Sequence, residues 1–272
     1  LFDVHRIEEG NPNLKIADEA FERIFDFFDE YNWHLDTSIT ATGKDINPDV
    51  IGYIFEKYIN DRAAMGAYYT KEDITEYISK NCIVPWLFDE VKRNYATPFV
   101  GRDAVSTTRG DSANRATNIW SFLKQSGDRY IYPAVKHGVD QPLPPEIEAG
   151  IKNVSRRGGW NKPAPSTHAL PTEIWREVVA RRHRFTEVLG KITAGEITEI
   201  NDFITYNLDI RQFAQDVLKE TDDPKLTMEF YKAVRKITIL DPTCGSGAFL
   251  FAALNVLEPL YFACVTRMRE FT

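Results

Sequence analysis

Apolar residues recur at helical spacing along much of the chain. Phe21, Ile24, Phe25, Phe27 and Phe28 stand among Glu, Asp and Arg and predict a helix in the first stretch, through Trp33. A second helix is predicted from Asn47, with Pro48 in its first turn and Ile51, Phe55, Tyr58 and Ile59 on one face. A third follows Thr70-Lys71-Glu72-Asp73, which has the form of a capping box; Ile74, Tyr77, Ile78 and Ile83 form its stripe, ending near Pro85.

The pattern changes from about Thr97 to Thr172. Eight prolines and the pair Gly158-Gly159 predict a loop-rich region of short elements. Its rings, among them Trp120, Tyr130 and Trp160, argue for packing rather than disorder. Helical spacing returns with Ile174, Trp175, Val178 and Val179, and another helix is predicted from Asp202 to Lys219. The last part differs again. Lys236 to Leu240 is a short β-branched run, followed by Asp241-Pro242-Thr243-Cys244-Gly245-Ser246-Gly247 and then by apolar helix formers, Ala248 to Leu254. Buried strand, glycine turn, buried helix is the opening βα unit of a doubly wound, Rossmann-like sheet.

Composition narrows the function classes. The 272 residues are 43% hydrophobic and 27% charged, as in globular proteins. No apolar run reads as long enough to cross a membrane, no signal peptide is predicted, and a cytoplasmic location is expected. Cys82, Cys244 and Cys264 are widely spaced and the five histidines are scattered, so neither a disulfide scaffold nor a metal site is predicted. The net charge of −7 is unlike that of a free-standing nucleic-acid binder. It is uneven: from Lys152 to Arg184 there is a local excess of +6. That stretch is either a solvated face or a local anion contact.

The glycine turn carries the chemistry. It lets the backbone turn tightly, keeps side chains away from a ligand and precedes a helix N-terminus with free N–H groups. Such a place suits a nucleotide-like cofactor, although glycine at a strand–helix corner also serves packing alone. The phosphate-loop pattern is absent, and the dinucleotide pattern is broken by Leu250, which weakens an oxidoreductase reading.

The longer string Ile239-Leu240-Asp241-Pro242-Thr243-Cys244-Gly245-Ser246-Gly247-Ala248-Phe249-Leu250 resembles the cofactor motif of adenine-specific DNA methyltransferases of the large restriction–modification and BREX-type phage-defence class. Gly66-Ala67-Tyr68-Tyr69-Thr70-Lys71 resembles the motif that precedes the sheet in that family, and Ile51 to Tyr58 the helix that leads into it. Thr243 stands where Ala is usual, and Lys71 where Pro is usual. The resemblance implies S-adenosylmethionine as cofactor, held by Tyr69, Thr70, Asp241, Cys244, Gly245, Ser246 and Gly247. It implies double-stranded DNA as the substrate of the full protein.

A family member also needs Asn, Asp or Ser before Pro-Pro and an aromatic ring, to hold a flipped adenine. Here the Pro-Pro pair lies in Leu143-Pro144-Pro145-Glu146, which lacks both flanking groups, so no catalytic residue is assigned. The first residue is not Met, and a partial chain is expected. The expected fold is mainly α. A helical region with the cofactor-closing loop spans 1–95, a loop-rich insertion 96–170 and a second helical region 171–235. The start of a Rossmann-like methyltransferase domain spans 236–272. The alternative is a non-enzymatic helical module that binds DNA or a partner through Lys152 to Arg184. Under the first reading the isolated chain binds S-adenosylmethionine weakly or not at all, because a single parallel strand cannot satisfy its own ladder. Calorimetry giving micromolar binding by the chain alone would overturn this.

Overall fold

The computed structural model describes residues 10, 17–33, 45–46, 70–100, 118–245 and 247–271. The expected helix from Asn47 lies outside them. The chain divides into two compact units: Leu1–Thr70 with Gly245–Ala248, and Lys71–Cys244 with Phe249–Thr272. In the first, α1 (Asp18–Asp29) forms as its spacing predicts, but Phe21, Ile24, Phe25 and Phe27 stay exposed. Two short strands, β1 (Asn32–Trp33) and β2 (Asp45–Ile46), pair in parallel.

The second unit is helical among the described residues. Its helices are α2 (Glu72–Asn94), α3 (Ile119–Gln125), α4 (Pro133–Lys136), α5 (Pro145–Lys152), α6 (Trp175–Ala194), α7 (Ile200–Thr205), α8 (Ile210–Glu220), α9 (Pro224–Lys236) and α10 (Ala248–Glu270). The mainly helical expectation holds. The expected strand at Lys236 to Leu240 is not formed. Lys236 closes α9, and Ile237 to Leu240 belong to no strand. Ladder bonds need a neighbouring strand, and none lies beside this segment among the described residues.

Four further expectations are corrected. Helix α2 starts one residue late, with Lys71 as an N-cap that makes no side-chain bond, so the Thr70 capping box is not formed. It then runs through Pro85 to Asn94. A proline inside a helix costs about 3 kcal/mol. Burying Val84, Leu87, Phe88 and Val91, at about 1.5–3 kcal/mol for each large side chain, outweighs that cost. The helix expected from Asp202 to Lys219 is two helices, α7 and α8, broken where Asn207 takes φ 51°. Lastly, α10 is long and apolar enough to cross a membrane by length and composition, contrary to the sequence reading. One of its faces packs into the core through Ala253, Val256, Leu260, Ala263 and Cys264.

The core is built on aromatic rings. Phe213 of α8 lies 5.9 Å from Phe88, 4.6 Å from Phe203 and 5.3 Å from Tyr130, and Phe230 of α9 meets Phe88 edge-on at 5.0 Å. The buried Tyr130 hydroxyl donates to Asp216, which also accepts from Arg129 and Gln212. That carboxylate is thereby satisfied inside the core.

The loop-rich region carries a smaller core of its own: Ile147, Trp160, Ala169, Trp175 and Val178. Pro144 and Pro145 open α5, a structural position for the only Pro-Pro pair. Arg181 ties the region together. It pairs with Glu173 through two nitrogens and donates to the carbonyls of Val135, His137 and His168. Arg182 donates to the Val139 carbonyl. Both arginines, counted above in the basic stretch, are thus turned inward. Removing one partner of a buried ion pair costs about 3–5 kcal/mol. Arg181→Ala is expected to lose stability on that scale in urea unfolding, and Arg181→Lys to recover little of it. A variant as stable as wild type would show that this clamp is unimportant.

Candidate functional site

Helices α2 and α9 pack against each other. At one end the Tyr95 hydroxyl donates to Asp223, the N-cap of α9, at 2.8 Å. Burial, together with that bond, pushes the Tyr95 phenol up to about 12. Phe88 and Phe230 meet edge-on. Between Tyr95 and Phe88 along α2, Glu90 bonds Lys236, the last residue of α9, at 2.5 Å, and Arg93 pairs with the same carboxylate. Glu90 is 3% exposed. The Lys236 hydrogen bond, aided by both positive charges, holds its carboxyl below the usual carboxylate range against the opposing effect of burial.

Leaving α9 at Lys236, residues 237–242 continue beside the N-terminal half of α2. A groove of about 340 Å³ lies between them, lined by Ile78, Ser79, Cys82 and Ile83 of α2, Ile239 to Pro242, and Phe249 and Ala253 of α10. That volume lies within the range of small-molecule sites. Most of the lining is apolar. Expected stripe residues of α2 rim it rather than filling a core: Ile78 is 42% exposed, while Ile83 is buried. On the facing segment Leu240 is 85% exposed.

Asp241 is the acid of the groove. Its Oδ1 accepts from the Thr243 backbone N–H at 2.9 Å and from the Thr243 hydroxyl at 3.3 Å. The threonine at this position thus adds a contact that the usual alanine would lack. Oδ2 is buried and has no partner among the described residues. A buried carboxylate oxygen without a donor is costly, so this atom suits a ligand bearing N–H or O–H groups.

The other expected site residues are placed as follows. Cys244 is an exposed free thiol. Gly245 and Gly247 take φ 53° and 85°, left-handed values that explain why glycine stands at both. They share a compact unit with Thr70, which is half-buried. Tyr69 and Ser246 lie outside the described residues. Ser79 and Cys82, missed in the sequence, carry one usable signal: both fall within three turns of the helix that the Gly66–Lys71 motif introduces. No group of acids, cysteines and histidines that could hold a metal occurs among the described residues.

Over 132 residues the chain is 31% identical to a protein of Methanocaldococcus jannaschii named "Putative type II restriction enzyme and methyltransferase". The match covers 44% of this chain and 11% of that protein, so the chain spans only a small part of its relative. No protein-family model matches the chain, and no solved structure does.

Because the Glu90 carboxyl is depressed, the stability it contributes is fully present above its ordinary value of 4.5 and is lost as pH falls through its lower folded value. The melting temperature of the wild type is expected to fall more steeply below pH 4.5 than that of Glu90→Gln. Parallel curves for the two proteins would show that the Lys236–Glu90 pair does not hold this junction.

Proposed function

We propose that this chain is the cofactor-binding front part of a restriction–modification methyltransferase that uses S-adenosylmethionine and acts on the exocyclic amine of adenine in DNA. The observation that carries the proposal is the groove in which Asp241 presents an unpartnered buried oxygen beside the helix introduced by the Tyr69-Thr70 motif. The likeness to the Methanocaldococcus jannaschii protein supports a methyltransferase of a restriction–modification system. Adenine as the base, and the BREX-type class as a kind of parent, rest on the motif resemblance.

The residues fit the cofactor. Asp241 is an acceptor, and S-adenosylmethionine carries ribose hydroxyls and an ammonium group. Ile78, Ile239, Leu240 and Phe249 offer apolar surface for its ring and aliphatic chain. The motif resemblance assigns Tyr69, Thr70, Asp241, Cys244, Gly245, Ser246 and Gly247 to its binding. When bound, the cofactor supplies an electrophilic methyl group on a sulfonium. This chain's part is to bind and orient it and to exclude water, which lowers the barrier by positioning. Ile237 to Leu240 take the place of the first strand of a Rossmann-like sheet when neighbouring strands are present. The DNA-binding alternative loses support, because Arg181 and Arg182 are spent on carbonyls within the fold.

The test uses the full-length protein with labelled S-adenosylmethionine and DNA, followed by mass spectrometry of the nucleosides. N6-methyladenine is expected as product. Asp241→Ala is expected to lower transfer by about 10- to 100-fold, the worth of a hydrogen bond to a charged group. A methylated cytosine would overturn the adenine assignment. An Asp241→Ala protein as active as wild type would overturn the site.

A further inference from the structure

Asp241 accounts for one side of the groove. The other side is α2, and two of its residues have no part in any motif. Ser79 is 6% exposed, yet its hydroxyl has no hydrogen-bond partner among the described residues. A helical serine commonly turns back to the carbonyl four residues earlier. That bond is not made here, and the side chain lines the groove instead. Cys82, one residue short of a full turn further on, lines the same groove and carries an exposed free thiol. The remaining α2 lining, Ile78 and Ile83, is apolar.

We infer that Ser79 and Cys82 form the α2 wall of the cofactor pocket, Ser79 giving a neutral hydrogen bond to the nucleoside part of the ligand opposite Asp241 and Cys82 lying under the bound molecule. The inference rests on the reading that the groove takes S-adenosylmethionine. Three features favour a purine nucleoside with an aliphatic arm. The groove is mainly apolar, which suits a flat ring and a methylene chain. Its polar side chains are few and convergent, as in sites that orient a small molecule. One is an anion and one a neutral hydroxyl, so hydroxyl and amine donors meet an acceptor while a phosphate would face the Asp241 charge.

The arrangement also makes the site sensitive to thiol reagents. In the reaction with N-ethylmaleimide the Cys82 thiolate adds to the ring double bond. A new S–C bond forms, the thiol proton is lost to solvent, and the neighbouring carbon takes up a proton. The adduct then occupies the groove. Cys264 provides an internal contrast: it is buried, and burial pushes its thiol up to about 12, so it is slow to react.

The full-length protein is treated with N-ethylmaleimide with and without S-adenosylhomocysteine, and labelling is followed cysteine by cysteine by peptide mass spectrometry. Binding of S-adenosylhomocysteine is measured in parallel by calorimetry. Cys82 is expected to label readily in the free protein and at least about tenfold more slowly in the bound one. Ser79→Ala is expected to weaken binding about fivefold, the scale of one neutral hydrogen bond. Cys82→Trp is expected to bind poorly. If the wild type binds S-adenosylhomocysteine while Cys82 labels at an unchanged rate, the α2 wall is wrong and the cofactor reading stands. If the unmodified protein binds no S-adenosylhomocysteine, both fall.

Discussion

The packing of α2 against α9 is the constraint on which the rest depends. Phe88, Phe213 and Phe230 interlock at its centre, and their burial supplies much of the drive for the larger core. Two polar ties join the helices beside it, Tyr95 to Asp223 and Lys236 to Glu90. The second stands at the residue where α9 ends, immediately before the segment that lines the groove.

From that constraint the candidate site follows with little further specification. The segment that follows α9 lines a groove with the N-terminal half of α2 and with Phe249 and Ala253 of α10. The polar atoms in it are of two kinds. Oδ1 of Asp241 is used within the turn, by Thr243, while Oδ2 is buried without a partner among the described residues.

The loop-rich region contributes in a different way. Its core is small, five buried residues with a few half-buried neighbours, and a core of that size needs polar ties. Arg181 supplies them, satisfying three carbonyls and a carboxylate from one planar group. Glu173 feels the cost of its burial, but Arg181 and the Leu170 N–H outweigh it and keep the carboxyl below its usual range. Positive charge in this stretch is therefore partly structural. Lys152, Arg156, Arg157, Lys162, Arg176 and Arg184 remain exposed, with Arg157 over the ring of Trp160.

What the amino-acid order determined by itself was local. Helical spacing marked α1 and α6, and the position of the glycine turn marked two left-handed residues, Gly245 and Gly247, since only glycine enters that region without strain. The string around Asp241 and the one around Thr70 identified the candidate chemistry, because each is long enough to carry more than a single spacing. Where the reading failed, a distant contact had overruled a local preference. Pro85 should have ended α2, but the buried residues beyond it hold the helix through the proline. Asn207 breaks what spacing alone joined. The β-branched run after Lys236 has a strand's sequence and no strand's geometry, because ladder bonds come from a neighbour and not from the segment itself. Ser79 and Cys82 were invisible for a related reason. A serine and a cysteine in a helix say nothing until the segment after α9 brings Asp241 to the same groove, and only the tertiary structure decides that.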